Sequence, residues 1–371
     1  MGLRRLPSAP PDTFARAAQA VLNALGGAPE ADLETLRELG ESDQPLLAGM
    51  ANYMASYAWE AAGDTDGALT AARPALSAFE RGGSAWLRAA GHARIGELCG
   101  QMDEAGAGDE ALHHLSEALS VLEAFGAWSS ANRVREGMVL ANLQRGAYDE
   151  AERELKLTTP RARDEPWNMS MFDTAVRAEI ALGRGDVDTG LQLWRTAAAA
   201  LRNTQPAGPG GDLPGLSRLE PWALQAQASA VVSHARHGRL DLVAEIAEAL
   251  PAALSALVAD PGPPGTLAAS YGLAVCGSLL LALAMIDIDR GQRADDSRAA
   301  SSGARMIALA ERFGLKNGFQ PTMSVARARR SAQDADGPTY ADAVSEYADL
   351  DPEALRAAAL AALRERAQVS G

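Results

Sequence analysis

Histidine, cysteine and carboxylate are the side chains that could hold a metal or move a proton, and their spacing here supports neither task. His113 and His114 are adjacent, and on a helix neighbours diverge by about 100°, so they cannot chelate one ion and solvated or capping roles are expected. His234 and His237 stand three apart, but no cysteine or carboxylate nearby completes a ligand set. Gly238 closes that segment, where a histidine meets the negative end of a helix dipole. Cys99 and Cys276 lie far apart without a CxxC spacing, so a reduced, cytoplasmic setting is expected and no metal or cofactor is. There is no Gly-x-Ser-x-Gly elbow, no Cys/His nucleophile arrangement and no phosphate loop. A carboxylate pair for glycoside or lyase chemistry would depend on a separation in space, so a helical enzyme with a buried carboxylate site stands behind two non-enzymatic readings. No catalytic residue is assigned.

The elements that would position a binding surface are legible as a repeat. Gly-x-x-Asp-x-small recurs at Gly63-Asp66-Ala68, Gly106-Asp109-Ala111, Gly146-Asp149-Ala151, Gly185-Asp188-Gly190 and, loosely, Gly238-Asp241-Val243. The glycines lie 43, 40, 39 and 53 residues apart, close to the ~34 to 47 residues of helical-pair repeats. A left-handed glycine ends one helix, the aspartate is expected to cap the next, and the small residue lets the two helices approach. Leu112, Leu115, Leu119, Leu122 and Phe125 follow one phrase at helical spacing, predicting one buried stripe.

Composition agrees. Apolar residues make up 47% of 371 residues but aromatics only 5%, a mass of Ala, Leu and Val that suits closely spaced helices. The net charge of −14 argues against direct nucleic-acid binding, and the cluster Arg327, Arg329, Arg330 reads as a solvated helix face. Residues 266–286 carry no charge over a length that could span a bilayer. Their Ala and Gly content, with Asp287-Ile-Asp-Arg-Gly291 where the repeat expects a helix end, predicts a buried helix, so no membrane partner is expected. The N-terminus has no apolar core of a secretory signal.

The expected organisation is an N-terminal segment and helical cap over 1–45, with helices near 12–25 and 30–40, a repeat region over 46–320, and capping helices over 321–371. Pro/Gly-rich insertions near 203–218 and 260–265 are expected as loops. Two helices are expected from Tyr340 onward, the last opened by Asp351-Pro352-Glu353.

Gly-Ala-Tyr-Asp-Glu-Ala (146–151) and Gly-Asp-Val-Asp-Thr-Gly (185–190), each followed by a large residue at Leu155 or Trp194, resemble tetratricopeptide repeats. The longer period is similar to the variant in bacterial regulators of the maltose-activator kind. The likeness covers most of 46–313 and departs from the family where the usual Trp and Tyr of the first helices are replaced. The stretch 304–315, followed by Phe319-Gln-Pro-Thr322, resembles the C-terminal repeat region of actinobacterial multidomain transcription regulators.

The resemblance implies an all-α fold, a right-handed α-solenoid of tetratricopeptide-like hairpins with terminal capping helices. It also implies a concave groove lined by the first helix of each pair. Counting back from the linker glycines in that register places Tyr53, Tyr57, Arg94, Glu97, Arg133, Glu136, Glu179 and Gln225 on that face. Mixed charge with two aromatics suits a peptide, a small polar ligand or a partner protein. The expected function is a non-enzymatic sensing module of a transcription regulator, with a constitutive protein scaffold as the alternative. Trp59, Trp128 and Trp194 are expected in the inter-helix core.

Overall fold

The computed structural model describes residues 29–371 apart from 62–63, 103–105, 159–167, 203–220, 260–266, 316–320 and 370–371. The helix expected at 12–25 and the insertions near 203–218 and 260–265 lie outside the described residues. Every regular element among those described is helical. The first unit, residues 1–138 with 263–270, holds α1 (Pro29–Gly40), α2 (Pro45–Ala61), α3 (Thr65–Arg81), α4 (Ala85–Cys99), α5 (Ala107–Ala124) and the start of α6 (Trp128–Gln144). The second unit, residues 139–262 and 271–371, continues through α7 (Tyr148–Thr158), α8 (Asn168–Gly183), α9 (Val187–Arg202), α10 (Pro221–Arg236), α11 (Ala244–Ala259), α12 (Leu267–Ala294), α13 (Ser297–Arg312), α14 (Val325–Tyr347) and α15 (Pro352–Val369). Single 3₁₀ turns occupy Leu240–Val243 and Pro321–Met323.

Gly146, Gly185 and Gly238 end a helix as their spacing predicts, whereas Gly106 opens α5 after α4 has already stopped at Cys99 against Gly100, and Gly63 lies outside the described residues. Gly106, Gly146, Gly185 and Gly238 all adopt positive φ. At Gly146 the Ala147 N–H reaches back to the Asn142 carbonyl, the bond that closes a left-handed helix end. Ala68, Ala111 and Ala151 are fully buried where paired helices touch, and a Cβ on Gly190 would come within 2.6 Å of Leu182.

The aspartates do something else. Caps come from Asp64, which accepts from Gly67 N–H at 2.7 Å, and from Asp186, which accepts from Thr189 N–H at 3.3 Å. Asp66, Asp109, Asp149 and Asp188 sit inside the first turn, where their charge meets the positive end of the dipole.

Three further expectations are corrected. The α5 stripe stops at Leu122, because the helix ends at Ala124 and Phe125 is 61% exposed. Trp194 is fully buried, but Trp59 lies off the Ala51, Met54, Ala55, Ala58 stripe and Trp128 is the first residue of α6, so both stay half exposed. The uncharged stretch is indeed a buried helix, with residues 279–286 all in the core. It runs past Gly291 to Ala294, and Arg366 and Ser302 bond the buried Asp287 within it. Gly291 there lets α13 approach, a Cβ on it falling 2.9 Å from the Ala300 nitrogen.

At the C-terminal end, α14 breaks at Asp336, which caps the part containing Tyr340 by accepting from the Thr339 N–H and hydroxyl. Asp351 caps α15. Among the described residues, Leu240–Ala259 is the one helix long and apolar enough to cross a membrane. It carries Asp241, Glu245 and Glu248, and buries Ile246, Leu250, Leu254 and Val258 in a stripe four residues apart, as a core-packed helix does.

Candidate functional site

In the first unit α2 and α4 bring four of the expected groove residues together. Arg94, 2% exposed, donates from Nε to Ser56 Oγ at 2.8 Å and from Nη2 to the Ser56 carbonyl at 3.0 Å. Its Nη1 pairs with Glu60 at 2.7 Å and lies 3.8 Å from Glu97. The guanidinium carbon stacks 3.8 Å from the centre of the Tyr57 ring. Tyr53 and Tyr57 meet edge to face, their hydroxyls 3.1 Å apart. Gln101, missed from sequence, donates to Glu60 at 2.8 Å while its own carbonyl oxygen is buried without a partner.

Two groups here are open to water and yet desolvated. The Glu97 side chain is 38% exposed, but surrounding protein raises its carboxyl above the ordinary value, Glu60 adds repulsion, and Arg94 and Arg133 oppose the rise. Tyr57 is 37% exposed, and desolvation again is the first cause of its raised phenol. Each side chain thus meets water over part of its surface and protein over the rest, and together they border a partly covered recess above Arg94. Arg133 is exposed on α6 and acts on Glu97 by its charge; Glu136, half-buried, follows one turn later. The groove register expects Arg94 open, whereas Ser56 and Glu60 hold it beneath the tyrosines.

The second unit holds Glu179 on α8 in a different state. It is 3% exposed, its Oε1 accepting from the Trp194 indole at 3.2 Å and its Oε2 from the Thr322 N–H at 3.2 Å. The Thr322 carbonyl accepts from Arg236 Nη1 at 2.6 Å. Burial raises the Glu179 carboxyl despite these donors. Burial, and then the charge of Arg327, bring the Arg236 guanidinium down to about 10, with Glu179 resisting. Gln225 lies half-buried on α10, its backbone carbonyl taking the Ser229 hydroxyl. Sequence reasoning missed Arg236 and Thr322 here. Thr322 carries no repeat signal of its own, and Arg236, two residues before a linker glycine, has no visible partner in the sequence.

Histidines pair in an unforeseen way. His92 and His114 approach Nδ1 to Nδ1 at 2.8 Å across α4 and α5, so His114 is bonded where a solvated role was expected; His113 is exposed. Desolvation, then His92 and His113, take His114 down to about 4. His234 is fully buried. Its Nδ1 donates to the Ala230 carbonyl at 2.6 Å and its Nε2 faces Arg195 at 3.3 Å. Burial lowers its pKa, so it is a neutral bridge, not a cation at the dipole. Both cysteines are buried, and burial pushes each thiol up to about 12, away from nucleophilic use. No group of three or more metal-ligating side chains converges among the described residues. An apolar groove of about 340 Å³ beside α10 and α11 offers one carboxylate, Glu245, and one amide, Gln227.

No family model and no curated protein matches this sequence. Among solved structures, the chain is similar to a Rap protein complexed with Competence and Sporulation Factor. The identity is 13% and the TM-score 0.51, over 96% of this chain and 85% of that one. At this identity the likeness speaks to fold, and it agrees with tetratricopeptide-like helical repeats along the chain.

Proposed function

We propose that the chain is a non-enzymatic binding module that takes a peptide segment of a partner into the first-unit recess. The supporting observation is the pairing of Tyr57 with Glu97: an aromatic face and a carboxylate, both reached by water and both flanked by protein. A desolvated carboxylate gains from a cation placed against it, and the partly exposed Tyr57 ring, stacked by Arg94, offers its open surface to an apolar or planar group. The fitting ligand is a peptide with a lysine or arginine near an aromatic or aliphatic side chain. The similar Rap structure holds a separate factor, which supports recognition of a partner as a use of this fold. In a transcription regulator of the kind the repeats resemble, the module would be the sensing part.

The test is fluorescence anisotropy with a labelled library of basic-aromatic peptides on the whole chain. Binding should weaken at least about tenfold, or roughly 1.4 kcal/mol, in Tyr57→Ala and Glu97→Gln while melting temperatures hold. Peptides that bind all three proteins alike, or no binding from the library, would overturn the assignment.

A further inference from the structure

Thr322 is held as a bound peptide residue is held. Its N–H is taken by a buried carboxylate from α8 and its C=O by a partly buried guanidinium from α10. It follows Glu179 by 143 residues and Arg236 by 86, so neither bond is local. The residue belongs to the one-turn element Pro321–Met323, against which α10 packs and in which Thr322 and Met323 are buried. We infer that Glu179 and Arg236 form a peptide-backbone clamp which the chain fills with its own Thr322, and that a peptide segment bearing carboxylates binds the same clamp by displacing it.

Polarity of the clamp follows from the geometry. One side chain accepts and the other donates, so together they satisfy both backbone groups of one residue, while the Thr322 side chain adds its own hydrogen bond to Glu179. Pockets for neighbouring side chains then confer choice.

The choice of an acidic occupant follows from charge. Arg236 keeps one buried nitrogen, Nη2, without a partner. Arg327 and Arg330 both act on its guanidinium as like charges, and Glu179 is the one carboxylate among the groups that act on it. Arg329, between them, is already paired with Glu311 at 2.8 Å. The resident segment therefore brings the charge of Arg327 to bear on a partly buried cation and leaves a buried donor unused. A segment with a carboxylate there would accept from Nη2 and remove the repulsion. The resident one holds its place through tethering, which gives an intramolecular ligand an effective concentration on the order of millimolar.

This clamp shares no residue with the first-unit recess and does not depend on that recess binding anything. The probe is a fluorescein-labelled peptide of residues 321–328 carrying Ser324→Asp and Arg327→Glu, titrated into the whole chain. Thr322→Pro removes the N–H that Glu179 accepts and loosens the resident segment. The expected result is at least about tenfold tighter peptide binding to Thr322→Pro than to the unaltered chain. The gain should disappear when Arg236→Gln is added, and the unsubstituted 321–328 peptide should bind more weakly. Equal binding to both chains, or none to a Thr322→Pro protein that still melts cooperatively, overturns the inference. If Thr322→Pro does not fold, hydrogen exchange on the unaltered chain at saturating peptide decides. Faster exchange over 321–325 with slower exchange in α8 supports displacement, and an unchanged pattern rejects it.

Discussion

Tyr57 in the first unit and Glu179 in the second each stand six residues before a linker glycine. The first is 37% exposed and the second 3%. In the first unit a cation, Arg94, is buried and held by Ser56 and Glu60, leaving a ring and a carboxylate open above it. In the second an anion is buried, and the chain's own backbone covers it. Equivalent repeat positions thus became an open recess in one case and a filled clamp in the other. Whether a groove residue meets solvent was decided by a segment more than a hundred residues later, not by the repeat that carries it.

The largest expected effect separates the two carboxylates. Glu179→Ala strips the Trp194 indole and the Thr322 N–H of their acceptor and leaves Arg236 without its counter-charge. It should cost about 3–5 kcal/mol in urea unfolding. Glu97→Ala removes a carboxylate that water already reaches and should change stability by about 0.5 kcal/mol or less. Similar losses at the two sites would erase the distinction between recess and clamp.

Arg94 comes next. Arg94→Ala leaves Glu60 and the Ser56 hydroxyl without their buried partner and should cost about 3 kcal/mol. Arg94→Lys should recover less than half of that, because one ammonium cannot reach Ser56 and Glu60 together while stacking on Tyr57. Full recovery by lysine would mean that charge alone, without the planar fork, organises the recess.

How much of this was readable follows from the range of each interaction. Gly146 and Gly185 announced the hairpins because a left-handed helix end is a local event, and Ala68, Ala111 and Ala151 announced the contacts because the helix pair is a neighbour in sequence. Tyr53, Tyr57, Arg94 and Glu97 were found together since two adjacent repeats supply them. The Asp64 and Asp186 caps were missed by a small offset: the repeat phrase marks a dipole position in the first turn, and the cap lies just ahead of it. Thr322 on Glu179, Arg366 on Asp287 and His92 on His114 had no periodicity to betray them. Each joins different helices, and no spacing rule encodes which side chains meet there.

Acid should pull the two regions in opposite directions. His114 has its folded-state pKa depressed from 6.5 to about 4, facing His92, His113, Arg73 and Glu110; Glu80, Glu117 and Arg88 act on His92. The unfolded chain therefore takes up protons first, and stability is lost as pH falls from 6.5 towards 4. Glu179 has its folded-state pKa raised above 4.5, so there the folded chain takes up the proton first and stability is gained as pH falls towards 4.5. Measured by urea unfolding at each pH, His114→Gln should flatten the acid loss and Glu179→Gln should steepen it. Both variants shifting the profile the same way would show that one common charge effect governs the acid response.

The smallest effect is also the sharpest probe of what the recess is for. Tyr53→Phe removes a hydroxyl whose visible partner is the Tyr57 hydroxyl at 3.1 Å, in surroundings that water enters. The loss in stability should be about 0.5 kcal/mol or less, since the ring keeps its tilted contact with Phe79, centroids 6.0 Å apart. Removing that bond frees the Tyr57 hydroxyl to turn toward whatever sits at Glu97. A recognition surface would register the change as altered affinity for a basic-aromatic peptide at unchanged melting temperature. If melting falls while peptide affinity stays the same, the two tyrosines are packing for α2 and the recess has lost its claim to a ligand.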